Sequence, residues 1–214
     1  MIKHLSLLIL IVFSLSVVGQ TQKKPAFGSF TDVRDKKIYK TVTIGTQTWF
    51  AYNLSFNYPG SWCYNNTSDY CSTYGKLYSQ EAALKACPDG WHLPSADEWL
   101  ILLNYLGKRN VVGGSLKETG DDHWEEPNEG ATNVTGFKAL PGGYRDALTG
   151  SYFRIGKEVV FWSSTKLTVS DNTSWTLFLE YNSSKAFTEN ITLSNNNNGY
   201  SVRCIKNVIT IPQK

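Results

Sequence analysis

The 214-residue sequence predicts one exported α+β domain closed by two disulfides. Three observations carry that expectation. An apolar run near the start precedes a polar chain of single-domain length. Four cysteines remain in that chain. Short alternating segments surround one amphipathic helix with clear start and stop signals.

Lys3 and His4 give a basic start, Leu5 to Val18 is almost wholly apolar, and Val17-Val18-Gly19 offers small residues for cleavage before Gln20. About fourteen apolar residues fall short of the roughly 20 needed to span a bilayer, which favours a signal peptide over an anchor. No cysteine follows the run to take a lipid, and no other stretch is long and apolar enough to span. Residues 1–19 are therefore read as a signal peptide, and about 195 residues remain, the size of one domain. Removing Lys3 lowers the formal charge from +3 to +2, too little to argue for nucleic acid or an anionic membrane. Charged residues make up 18% and aromatics 14%, which suits an extracellular domain with an aromatic core under an Asn/Ser/Thr surface.

Residues 20–30 lack a pattern and read as a polar tether. Ile38 to Gly45 alternates as a strand, Gly45-Thr46 turns, and Gln47 to Leu54 returns as a second strand. Ser55 to Tyr74 is rich in Asn, Ser, Tyr and Gly and reads as a loop. Ser79 can cap a short helix through Ala86. Ser95 and Glu98 form a capping box, with Trp99, Leu102, Leu103 and Leu106 at helical spacing and Gly107 as the stop. Pro94 keeps any strand around His92 short. Val111 to Thr135 is loop-like. Strands are expected at Gly136–Leu140, Ser151–Ile155, Val159–Ser163, Ser174–Leu179 and Tyr200–Lys206, with a four-Asn turn at Asn195 to Asn198 and a short tail over 208–214.

Four cysteines, Cys63, Cys71, Cys87 and Cys204, favour two bridges in an exported chain, and three pairings are open. Cys63 and Cys71 flank a polar loop that a local bridge would pin, which leaves Cys87 for Cys204. No CxxC is present and His92 is the one histidine near a cysteine, so the pattern argues against zinc.

Several ordered blocks resemble one family. They are Tyr39 to Trp49, Tyr74-Gly75-Lys76-Leu77-Tyr78, Cys87 to Trp99, Gly130-Ala131-Thr132-Asn133, Gly136 to Arg145, Phe161-Trp162-Ser163-Ser164-Thr165, and Ser201-Val202-Arg203-Cys204. Together, over residues 31–207, they resemble the Fibrobacter succinogenes major paralogous domain, a bacterial extracellular module. The resemblance implies a fold similar to C-type lectins and formylglycine-generating enzymes, with two helices flanking a small, mostly antiparallel sheet and much of the chain in loops. It also implies the long Cys87–Cys204 bridge. The family is not tied to a known reaction and often occurs as a binding or adhesion module. Two departures bear on the ligand: Ser79-Gln80-Glu81 stands where the family often has Trp, and no Arg lies near Trp175.

Glu126-Pro127-Asn128 resembles the calcium and sugar motif of mannose-type C-type lectins, with Asp121, Asp122 and Glu129 nearby as further oxygen donors. The downstream Trp-Asn-Asp segment of such sites is missing, and a solvated acidic loop is the plainer reading. Calcium is thus the one cofactor with candidate residues, and none is required. Trp49, Trp91, Trp99 and Trp162 sit in patterned segments and read as core. Trp62, Tyr64, Tyr70, Trp124 and Tyr144 fall in loops, where aromatics can stack on sugar rings or anchor a protein. Trp62, Tyr64, Trp124, Glu126, Asn128 and Tyr144 are the candidate ligand-binding residues. Arg145 and Arg203 read as structural donors to loop carbonyls, and His92 as packed. No catalytic Ser-His-Asp order, phosphate loop or His-Glu-x-x-His is present.

The expected function is a non-catalytic binding module, secreted or at the cell surface, for a glycan or protein ligand, with the long loops 108–135 and 165–198 presenting the site. The alternatives are a redox or formylglycine-generating-like enzyme, with Cys63 and Cys71 as the reactive pair, and a structural part of a cell-envelope assembly.

Overall fold

The computed structural model describes residues 24–108, 110–166, 173–192 and 198–208. The expected signal peptide, the first residues of the expected tether, most of the four-Asn turn and all but the first residue of the tail lie outside the described residues.

The chain begins with β1 (Ala26–Thr31), which pairs antiparallel over its whole length with β2 (Ile38–Ile44). The tether thus ends in a strand, which escaped prediction because five of its six residues are exposed and carry no alternation. The expected hairpin joins β2 to β3 (Gln47–Phe50). Then come β4 (Ser61–Trp62), a single 3-10 turn at Tyr64–Asn66, and α1 (Ser68–Tyr74), where a continuous loop was expected. β5 (Leu77–Tyr78) leads into α2 (Gln80–Ala86), whose N-cap Ser79 accepts from Ala82 N. β6 (Trp91–His92) is short, as Pro94 requires.

α3 (Ala96–Leu106) starts on the capping box: Glu98 N donates to Ser95 Oγ while the Glu98 carboxylate accepts from Ser95 N. The same carboxylate meets His92 Nε2 at 2.8 Å and raises the His92 pKa, while His92 Nδ1 contacts Asn207 Oδ1. Next are α4 (Val112–Leu116), β7 (Gly142–Arg145), β8 (Tyr152–Ile155), β9 (Glu158–Lys166), β10 (Thr173–Glu180) and β11 (Phe187–Thr192). The chain then forms β12 (Tyr200–Ser201) and β13 (Ile205–Lys206). Among the described residues no helix is long and apolar enough to cross a membrane.

Two sheets result, larger than the single small sheet expected. One runs β1-β2-β3-β13-β6. The other runs β11-β10-β9-β12-β5-β4, with β7 and β8 joined beside β9. Pairing is antiparallel except where β12 and β7 meet β9. Gly136–Leu140 is no strand: it makes one bridge, Lys117 to Ala139, and its amides otherwise bond locally, as Gly136 does to Asn133 O. The expected final strand breaks in two, because the chain leaves one sheet at Ser201 and enters the other at Ile205.

The apolar run Val159-Val160-Phe161-Trp162 explains the layering. Alternate side chains of a strand point to opposite faces, so a continuous apolar strand is one buried on both. Val159 and Phe161 join the core of α3, with Trp49, Trp99, Phe137, Leu177 and Leu179. Val160 and Trp162 join the core of α2, with Tyr39, Phe50, Tyr78, Trp91 and Tyr200. A helix therefore packs on each side, and Trp99 rests on Trp49 at 4.7 Å and Phe161 at 5.5 Å.

Both bridges have the expected pairing: Cys63–Cys71 with Cα atoms 5.0 Å apart and Cys87–Cys204 at 5.9 Å. The long one ties the end of α2 to the segment that crosses between the sheets. Beside it Arg203, 0% exposed, donates to the Phe50 and Phe137 carbonyls and to Asn53 Oδ1.

The bridges enclose 117 and 8 residues, so loop entropy ranks them. Replacing Cys87 and Cys204 by Ser should cost about 5 kcal/mol in urea unfolding, and replacing Cys63 and Cys71 about 2.5 kcal/mol. The reverse order would contradict the closure assigned to the long bridge.

Candidate functional site

The register of β9 and β10 sets Glu158 opposite Glu180, Val160 opposite Phe178 and Trp162 opposite Thr176 on one face of the sheet. The Trp162 end is covered: its Nε1 donates to Tyr78 O at 2.7 Å and its ring lies 4.5 Å from Tyr200. The Glu158/Glu180 end is open. There β7 brings Tyr144 over the sheet, with its ring 5.7 Å from Phe153 and 6.1 Å from Tyr200. A cleft of about 470 Å³ results.

Its apolar surface is aromatic. Tyr144 and Tyr200 form one wall, and Phe178, stacked on Phe187 at 4.8 Å, lies in the sheet. Its polar surface is mostly carboxylate, from Asp146, Glu158, Glu180 and Glu189, with Arg154 as the cation. Like charges directly across a ladder repel. Arg154 resolves the Glu158/Glu180 pair by donating Nε to Glu158 at 3.0 Å and Nη2 to Glu180 at 3.0 Å. It does so from φ 67°, a left-handed conformation that a residue with a Cβ holds only where its surroundings impose it.

Burial sets the direction of the shift at three groups of the cleft. It raises the Glu158 pKa despite the Arg154 ion pair, and raises that of Tyr144. Burial also pushes Tyr200 up to about 12. Asn198 fixes the rim: its Oδ1 accepts from Ala147 N at 2.7 Å and its Nδ2 donates to Tyr200 Oη at 2.9 Å. The arrangement offers ring faces and a surplus of acceptors to a ligand rich in donors.

The structure scatters the residues expected from sequence. Tyr144 is in the cleft. Trp62 lines a separate hollow, with the Arg145 guanidinium 4.3 Å over its ring. Tyr64 is buried against Tyr70 and Tyr152. Trp124, expected on a loop surface, is 1% exposed and donates to Ala139 O, so it is core. Glu126, Asp121 and Asp122 are exposed, whereas Asn128 is buried with its Nδ2 donating to the Glu118 and Gly120 carbonyls. The lectin-like pair thus divides, Glu126 facing solvent and Asn128 tying down its own loop. Among the described residues no three His, Cys, Asp or Glu side chains are grouped to hold a metal. All four cysteines are in disulfides.

Sequence reasoning missed Arg154, Glu158, Phe178, Glu180, Glu189, Asn198 and Tyr200 as site residues. The available signal was a glutamate at the end of each of two strongly apolar strands, but only the register makes them neighbours.

Comparison with family models matches residues 42–206 to the Fibrobacter succinogenes major domain. No curated protein and no solved structure matches the chain.

Glu158 has a raised folded pKa, so its charge opposes folding once it ionises, and stability falls as pH rises from the unfolded value through the folded one. Glu158→Gln should match wild type near pH 4 and become the more stable protein by pH 7, read from urea midpoints. A constant difference across that range would contradict the assignment.

Proposed function

We infer function from one premise: the chain belongs to the Fibrobacter succinogenes major domain family. We propose that it is an exported, non-catalytic binding module that takes an uncharged, hydroxyl-rich glycan in the cleft between Tyr144 and the β9–β10 sheet. The observation that carries this reading is the pairing of aromatic rings with carboxylate acceptors in one concave site. A sugar ring has an apolar face that packs on an aromatic side chain and hydroxyls that donate to carboxylates. The cleft volume lies in the range of small-ligand sites. An excess of carboxylates over Arg154 disfavours an anionic ligand there.

Export is supported by the two disulfides, which persist in oxidising compartments. A C-type lectin-like arrangement is supported by the two flanking helices, the long connections, and a bridge from the end of α2 to the residue before the last strand. The formylglycine-generating-like reading needs reduced thiols, and each cysteine here is in a bridge.

A glycan array on residues 20–214 should return uncharged glycans, and Tyr144→Ala should weaken binding to them about tenfold. An array without binders, or full retention by Tyr144→Ala, would overturn the reading.

A further inference from the structure

β7 has two sides, and the cleft uses one. Successive residues of a strand point in opposite directions. Tyr144 and Asp146 face the cleft above, while Arg145 and Ala147 face a second hollow of about 670 Å³ on the other side of the ridge. Trp62 on β4 and Lys85 on α2 also line this second hollow.

Among the described residues Arg145 makes no direct ion pair, although its charge reaches the adjacent Asp146 carboxylate. Its guanidinium carbon lies over the Trp62 ring, 4.3 Å from the centroid. Gly199 backs the pair closely: a Cβ on Gly199 would stand 3.0 Å from Arg145 Cβ and 3.2 Å from Trp62 Cε3. At Gly150 a Cβ would meet Arg145 Nη2 at 3.1 Å, so the turn leaves room for the fork. Among the described residues no carboxylate lies within ion-pair distance of the guanidinium, and none accepts a hydrogen bond from it. The neighbouring carboxylates are engaged elsewhere. Glu81 pairs with Lys85 at 3.0 Å, and Asp146 accepts from the Thr149 amide and hydroxyl.

A planar set of N–H donors in a hollow, set over an aromatic ring and without a direct ion pair, suits a flat or tetrahedral oxyanion. We propose that Arg145 and Trp62 form an oxyanion-binding subsite, distinct from the carboxylate-lined cleft, for the carboxylate or sulfate of an acidic glycan. That the oxyanion is carried by a glycan rests on the function proposed above; the oxyanion site itself does not. The two hollows flank one strand, so a ligand crossing the β7 ridge would set a neutral sugar against Tyr144 and an acidic one against Arg145.

The test titrates wild type with oligogalacturonide, with its methyl ester, and with chondroitin sulfate, by calorimetry. The ester removes the negative charge while keeping the sugar backbone, a comparison that needs no variant. At least one anionic probe should bind, the ester about tenfold more weakly than the acid where the carboxylate is the ligand, and Arg145→Gln should lose about tenfold toward the anionic probe that binds. Arg145→Lys should recover only part, because it restores charge without the fork. Preference for oligogalacturonide assigns a carboxylate; because chondroitin sulfate carries a uronate as well, a sulfate is assigned only where its binding exceeds that of unsulfated chondroitin. Equal binding of acid and ester with no sulfate binding, unchanged binding by Arg145→Gln, or silence of both anionic probes overturns the subsite. If both anionic probes are silent while neutral glycans bind through Tyr144, only this subsite fails. If the anionic probes bind through Arg145 while the neutral array is empty, only the earlier reading fails.

Discussion

A guanidinium buried without a carboxylate holds the two sheets in register. Arg203 sits in Val202-Arg203-Cys204, the tripeptide that carries the chain from β12 in one sheet to β13 in the other. Its Nη atoms donate to the carbonyls of Phe50, Phe137 and Lys138 and to Asn53 Oδ1, and its Cζ lies 4.2 Å from the Phe137 ring centroid and 5.4 Å from that of Phe161. A buried cation is costly unless its donors are used. Burial lowers its pKa to about 9, which still leaves it charged at neutral pH; charge-assisted bonds to four oxygens offset part of the lost hydration, while Nε has no partner among the described residues. The backbone around it closes the same joint. Phe50 N donates to Cys204 O and Leu54 N to Val202 O, while Cys204 bonds to Cys87. One short segment thus joins β3, the Phe137–Lys138 turn, the end of α2 and both sheets.

The site depends on this joint at one remove. β12 lies between β9 and β5 and carries Tyr200, which forms a wall of the cleft and packs on Trp162. Once β12 is fixed, β7 and its ridge follow through the Arg145–Gly199 bridge and the Asn198 amide. The Glu158/Glu180 pair, the left-handed Arg154 and Arg145 all lie on or beside that ridge. The facing glutamates and the Arg154 backbone are local costs that a rigid scaffold can sustain.

What was legible in the sequence was local. The Ser95/Glu98 capping box, the Ser79 cap and the apolar run of β9 each declare themselves within a few residues. The family blocks pointed to the Cys87–Cys204 bridge. The elements that escaped are those specified by distant partners. β1 is exposed and exists because β2 offers it a ladder. α4 contains Gly113 and Gly114, which read as a loop. Glycine is required at these helical positions because a Cβ would come within 2.1 Å of Lys185 O at Gly113 and 2.0 Å of Gly130 O at Gly114. Trp124 looked like a loop aromatic until the Ala139 carbonyl took its indole N–H. Of the cleft, only Tyr144 was legible, since Arg154, Glu158 and Glu180 become a site through strand register. Arg203 was read correctly as a structural donor to carbonyls, though nothing in the chain shows that it joins the end of β3 to the Phe137–Lys138 turn.

The central claim, that Arg203 is the strut joining the sheets, is tested most directly by hydrogen exchange on Arg203→Met beside wild type, with urea unfolding of both. Removing the donors strands buried carbonyls, so the variant should lose roughly 3 kcal/mol or more. The amides of Phe50, Leu54 and Ala139 should lose protection together, because they share the joint although they lie far apart in sequence. A variant within about 0.5 kcal/mol of wild type, or one in which these amides lose protection independently, would contradict the account.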